Sequence, residues 1–143
     1  MTIKRKGSAA WSGGLKDGKG SVSTQSGVLN QQQYGFNTRF EDGAGTNPEE
    51  LLGAAHAGCF TMALSGQLGA AGMTAQKLET TATVSLDKVG DSFAITAVHL
   101  DLVAVIPGAD EAAFQEAARK AKEGCPVSKL FNTNITLDAK LQA

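Results

Sequence analysis

The chain has 143 residues, enough for one domain with a real core, and its 42% hydrophobic and 19% charged residues are those of a soluble globular protein. A formal net charge of −1 gives no basic field for nucleic acid or an anionic membrane surface. No charged n-region followed by an apolar h-region opens the sequence, so a cytoplasmic location is expected.

The first forty residues read as strands and loops. Thr2 to Trp11 has strand character and stops at Ser12-Gly13-Gly14, a turn signal; Lys4-Arg5-Lys6 within it reads as a solvated edge. Gly20 to Ser26 suits an exposed strand around Val22. Leu29 to Phe36 is polar and irregular. Phe36 to Phe40 is expected as a short strand carrying Arg39, followed by a loop over Glu41 to Gly45.

A helix then begins sharply. Asn47 is a good N-cap, Pro48 fits the first helical position, and Glu50 is placed to fold back as in a capping box. Glu49 and Glu50 also suit the positive end of the helix dipole. The helix is expected to reach about Gly69. Gly53, Gly58 and Gly66 each cost about 1 kcal/mol relative to alanine inside a helix, so close approach of other backbone is expected at these positions. From Leu51 to Gln76 there is no Asp, Glu, Lys or Arg, which is long enough to span a bilayer. The run is nevertheless weakly apolar, with five glycines and with His56, Thr61, Ser65 and Gln67, so it reads as a helix buried in protein.

Beyond Ala70-Ala71-Gly72, Leu78 to Leu86 alternates as a strand, and Val89-Gly90-Asp91 makes a hairpin turn. The return strand, Ser92 to about Ile106, changes its apolar parity between Ala97 and Val98, which predicts a bulge or burial on both faces. Glu111 to Glu123 is an amphipathic helix presenting Phe114, Ala117, Ala118 and Ala121, with Gly124 as its stop. Pro126 to Phe131 reads as a short helix, and Ile135 to Leu141 as a last amphipathic strand. Without repeats or linkers, the expectation is one α+β domain over residues 1–143, with antiparallel strands around a buried helix.

Two cysteines in contrasting places carry the chemical interest. Cys59 lies in Gly53-Ala54-Ala55-His56-Ala57-Gly58-Cys59-Phe60, and Cys125 in Gly124-Cys125-Pro126-Val127-Ser128. In a cytosolic protein, paired cysteines are more often catalytic or metal-binding than structural. A reactive Cys59 needs a cation beside it; His56 is on roughly the same helix face, and Arg39 precedes the helix. Glu49 can hold Arg39 through a two-point ion pair. Cys125 precedes Pro126 and can cap the short helix, which slightly favours it as the reactive thiol. Beyond that slight preference, local chemistry does not decide between the two. Core packing is the plainer reading of Cys59, a tight-turn residue that of Cys125, a hydrogen-bonded core residue that of His56, and helix capping that of Glu49 and Glu50. A zinc site from His56, Cys59, His99 and Cys125 is a weak reading, because no Cys-x-x-Cys pair exists. No glycine-rich phosphate loop is present, so no nucleotide cofactor is expected.

Val28-Leu29-Asn30-Gln31-Gln32 with Tyr34-Gly35-Phe36-Asn37-Thr38-Arg39-Phe40, the stretch from Gly45 to Phe60, Val84-Ser85-Leu86-Asp87-Lys88-Val89 and Gly124-Cys125-Pro126-Val127-Ser128 together resemble the OsmC/Ohr family of hydroperoxide reductases, and its OsmC branch in particular. The likeness runs through essentially the whole chain in the right order. It implies an intertwined α+β homodimer, with antiparallel β-sheets wrapped around a long central helix and active sites at the subunit interface. It implies reduction of organic hydroperoxides, and more weakly of hydrogen peroxide, with no cofactor and no metal. Under it Cys59 is the attacking cysteine, Cys125 closes a Cys59–Cys125 disulfide, and Arg39 and Glu49 match the family's arginine and glutamate. A dithiol, such as a lipoylated protein, would reset the pair; nucleic-acid and membrane partners are not expected. Leu52, Phe60, Met62 and Phe131 are candidate lining for the organic part of the substrate. The alternative is a redox-sensing thiol switch that does not turn over.

Overall fold

The computed structural model describes residues 1–142, which fall into two compact units, Met1–Leu51 and Leu52–Ala143. In the first, β1 (Gly7–Ser12), β2 (Lys19–Thr24) and β3 (Gln32–Tyr34) form an antiparallel sheet in chain order. Strand β1 starts later than expected. Its partner β2 ends at Thr24, and at that edge Gln25 closes the ladder by donating to Lys6 O. Gly20 sits in the middle strand because a Cβ there would lie 2.5 Å from Trp11 and 2.6 Å from Tyr34. Those two rings close over it edge to face, 5.6 Å between centroids.

The segment from Phe36 to Phe40 is a helical turn, α1, and not the strand expected for it. The Thr38 hydroxyl accepts from Gly35 N–H at 2.8 Å and donates to Gly35 O at 3.0 Å. This local closure competes successfully with a sheet ladder. It places Arg39 in the last turn of α1. The long helix α2 (Pro48–Ala70, 23 residues) then begins as the sequence predicts. Asn47 Oδ1 accepts from Glu50 N–H at 2.8 Å. The Glu50 carboxylate, however, takes its hydrogen bond from Thr46 Oγ1 at 2.8 Å, so the reciprocal half of a capping box is replaced by a hydroxyl.

The second unit is built on β4 (Lys77–Val89), β5 (Ser92–Val105) and β6 (Asn134–Gln142), with α3 (Glu111–Gly124) and α4 (Pro126–Leu130) between the last two strands. Strands β4 and β5 form the predicted hairpin, turning at Gly90 with φ 63°. The predicted parity change is a bulge. Ser85 pairs with Ala97 and Leu86 with Ile95, leaving Thr96 as the extra residue, tied to Asp87 through its hydroxyl. The expectation of antiparallel sheets fails at β6, which pairs parallel with β5 from Ala97↔Asn134 to Val105↔Gln142. The reason is the connection: α3 and α4 carry the chain back to the start of β5, as a crossover between parallel strands requires.

The core of this unit is a stripe of α2 against β5 and α3. His56, Phe60, Leu64 and Leu68 recur every four residues and are at most 1% exposed. They share the interior with Val98, Leu100, Leu102, Phe114, Ala117, Ala118 and Cys125. Each large apolar side chain buried in this way contributes about 1.5–3 kcal/mol. Of the helix glycines, Gly53 does admit another backbone: a Cβ there would lie 3.1 Å from the Ala82 carbonyl. Gly58 and Gly66 do not, since added Cβ atoms would meet nothing within 4 Å. Among the described residues no helix is long and apolar enough to cross a membrane.

Candidate active site

Cys59 projects from α2 between the buried positions His56 and Phe60, and is half-buried; Cys125 is wholly buried. Both are free thiols. They lie close together: Cys59 packs against the core cluster to which Cys125 belongs, near enough for Cys125 and the Val127 backbone to shift its thiol. Cys125 belongs to two helices at once. Its N–H donates to Ala121 O at 3.0 Å and ends α3, while its sulfur accepts from Ser128 N–H at 3.3 Å and begins α4. Pro126 at the first position of α4 fixes that corner.

Burial pushes the Cys59 thiol above its ordinary value, and the neighbouring Cys125 adds to the rise; the Val127 backbone bond offsets part of it. A thiolate at Cys59 therefore needs positive charge from elsewhere.

Arg39 and Glu49 form the second pair, within the first unit. Arg39 Nε donates to Glu49 Oε1 and Nη2 to Oε2, both at 3.0 Å. The Glu49 side chain is 10% exposed and that of Arg39 39%, so the carboxylate is the fixed end and the guanidinium the presented one. The structure thus joins Arg39 to Glu49 at two points and sets Cys59 against the core that holds Cys125.

The residue that the sequence left undervalued is Ser128. Its hydroxyl lies 2.7 Å from His56 Nε2 and 3.3 Å from Cys125 Sγ. The only advance signal was its place three residues after Cys125, where a capped helix puts its N3 residue. His56 is buried, its imidazole packs edge to face on Phe131 at 5.2 Å, and its Nδ1 has no hydrogen-bond partner among the described residues. Burial lowers its pKa, so the ring is neutral at pH 7. His99 is engaged elsewhere, by Thr136 and Asp101 on an exposed sheet face. Among the described residues no group of three or more His, Cys, Asp or Glu is placed to hold a metal ion.

A mostly apolar cavity of about 270 Å³ is lined by Leu52, Val84, Ile95, Leu130, Phe131 and the Asn132-Thr133 segment. Two of the four expected lining residues, Leu52 and Phe131, are there. Phe60 is core instead, and Met62 lies 79% exposed on an open groove of α2.

Comparison with known proteins places these features in a family. The OsmC-like protein family model matches residues 41–140. The chain is 59% identical over 143 residues to peroxiredoxin OsmC of Escherichia coli K12, covering 100% of both chains. It is 33% identical over 103 residues to the organic hydroperoxide resistance protein of Xanthomonas axonopodis pv. citri, covering 69% of this chain and 68% of the other. The crystal structure of the organic hydroperoxide resistance protein OhrB of Bacillus subtilis superposes with a TM-score of 0.69 at 26% identity, covering 98% of each chain.

Proposed function

The chain belongs to the OsmC-like family, and from that premise we propose that it is a thiol-dependent peroxidase that reduces organic hydroperoxides to alcohols. The observation that carries the reading is the proximity of two free thiols, one half-buried on α2 and one buried at the α3–α4 corner. The Cys59 thiolate attacks the distal peroxide oxygen, the O–O bond breaks, and the alkoxide leaves as alcohol after taking a proton. Cys59 becomes a sulfenic acid. The Cys125 sulfur then attacks the Cys59 sulfur, the S–O bond breaks, and water leaves as the disulfide forms. Two thiols are oxidised and one peroxide is reduced. An external dithiol, such as a lipoylated protein, returns the pair to thiols by exchange.

Arg39, oriented by Glu49, takes the role of the family's arginine: it steadies the Cys59 thiolate and the charge that develops on the peroxide. The cavity at Leu52, Leu130 and Phe131 suits an apolar organic group and favours organic hydroperoxides over hydrogen peroxide. The reading includes one domain over residues 1–143, acting in the cytoplasm as an intertwined homodimer whose sheets wrap α2.

The test is steady-state consumption of cumene hydroperoxide with dihydrolipoamide as reductant. Turnover in the native chain and none in Cys59→Ser is the expected result. Full activity in Cys59→Ser would overturn the assignment. A stoichiometric disulfide with no steady-state rate would make the protein a thiol switch.

A further inference from the structure

Helix α2 buries a stripe at positions 56, 60, 64 and 68, and three of these are Phe or Leu. The fourth is His56, whose buried Nδ1 has no hydrogen-bond partner among the described residues. An unsatisfied buried polar group is costly, and an apolar residue in the same stripe would avoid that cost. The imidazole is therefore costly as packing, and its one hydrogen bond leads to the chemistry. Ser128 Oγ stands between His56 Nε2 at 2.7 Å and Cys125 Sγ at 3.3 Å. All three residues are buried, so bulk water is not the ready proton acceptor for Cys125.

A hydroxyl donates one proton and accepts at its lone pairs. With Cys125 as a thiol, S–H donates to Ser128 Oγ and Ser128 O–H donates to His56 Nε2. Moving both protons one step leaves a Cys125 thiolate, a neutral serine and an imidazolium. The hydrogen bonds then run the other way: His56 Nε2–H to Oγ, and Ser128 O–H to the sulfur. Ser128 N–H, at 3.3 Å, donates to the same sulfur. Removing either His56 or Ser128 breaks this chain while leaving both thiols in place.

We propose that Ser128 and His56 form a buried proton relay that draws the proton from Cys125 as it closes the disulfide on the Cys59 sulfenic acid. The inference rests on the thiol-peroxidase reading. In the step, the Cys125 proton passes to Ser128 as the Ser128 proton passes to His56. The thiolate pair forms the S–S bond, and the S–O pair leaves with oxygen as hydroxide. Hydroxide takes a proton to become water, and the imidazolium returns to neutral. Ser128 touches the reacting sulfur. His56 acts through it, as a positioning and proton-holding residue.

The experiment is a single turnover with one equivalent of cumene hydroperoxide and no reductant. Sulfenic acid formation at Cys59 and disulfide closure are timed separately by quenching, dimedone trapping and intact mass. One-equivalent oxidation of Cys59 in the native chain tests the peroxidase reading on its own. The relay is tested by the ratio of the closure rate to the oxidation rate in Ser128→Ala and His56→Gln. Loss of a proton-transfer group predicts a fall of about tenfold or more in that ratio, accumulation of dimedone-reactive Cys59, and loss of the solvent deuterium effect on closure. A smaller fall, or closure and oxidation slowing together, would overturn the relay. If His56→Gln does not fold, Ser128→Ala, a small truncation, decides the question alone.

Discussion

Arg39 and Glu49 are joined at two points, Nε to Oε1 and Nη2 to Oε2, each at 3.0 Å. Only a planar guanidinium can make this fork; lysine offers a point charge on a flexible stem. Arg39→Lys is therefore expected to lower kcat/KM for hydroperoxide by about a hundredfold, the usual scale for losing a fixed donor to developing charge. Glu49→Gln keeps one acceptor and should cost about tenfold. Initial rates of peroxide consumption check both, and a fully active Arg39→Lys would reduce the fork to a structural contact.

The two cysteines are expected to fail differently. Cys59→Ser should consume no peroxide. Cys125→Ser given one equivalent of hydroperoxide should stop at the Cys59 sulfenic acid. With excess hydroperoxide it should go on to sulfinic acid at Cys59, seen by mass as a gain of two oxygens. Serine at position 125 keeps the helix corner intact, because its oxygen caps α4 at least as well as sulfur does.

Leu130 lines the apolar cavity and is 75% exposed, so it can be changed with little risk to the core. Leu130→Ser should reduce kcat/KM for cumene hydroperoxide by about tenfold, on the scale of one lost apolar contact. The rate with hydrogen peroxide should stay unchanged. Equal losses on both substrates would show that the cavity does not select the organic group.

His56 makes stability depend on acid. Burial holds its pKa below the ordinary 6.5, so the unfolded chain takes up a proton that the folded chain refuses. The stabilising effect is complete above pH 6.5 and declines as pH falls through it, by at most about 1.4 kcal/mol per pH unit, until the lowered folded value is reached. Urea unfolding between about pH 7.5 and about pH 5, run on the native chain and on His56→Gln, should show this added slope in the native chain alone.

Asp110 caps α3 by accepting from Ala113 N–H at 2.9 Å. Asp110→Ala should cost about 1 kcal/mol in denaturant unfolding. The cap lies at the opposite end of α3 from Cys125, so thiol oxidation kinetics should not change.

Much of this was legible in the residues because the local signals agree with the fold. Asn47-Pro48 marked the start of α2, the shift of parity near Ala97 marked the bulge, and the alanine face of α3 marked its buried side. The misses share a cause. Phe36 to Phe40 looks like a strand by composition, but the Thr38 hydroxyl closes it into a helical turn. The direction of β6 is set by the path of α3 and α4, which no pattern within β6 records. His56 and Ser128 lie 72 positions apart in the chain, so their bond has no local signature. The thiols were visible as residue types, but their proximity belongs to tertiary structure.

Cys125 ends one helix with its backbone and starts the next with its sulfur. Redox state and architecture are therefore written in the same atom. On the proposed chemistry, a disulfide to Cys59 would weaken that sulfur as the acceptor that anchors the first turn of α4. Substitution faces the same double demand: a replacement at position 125 has to serve as a hinge-pin between two helices before its chemistry is even considered.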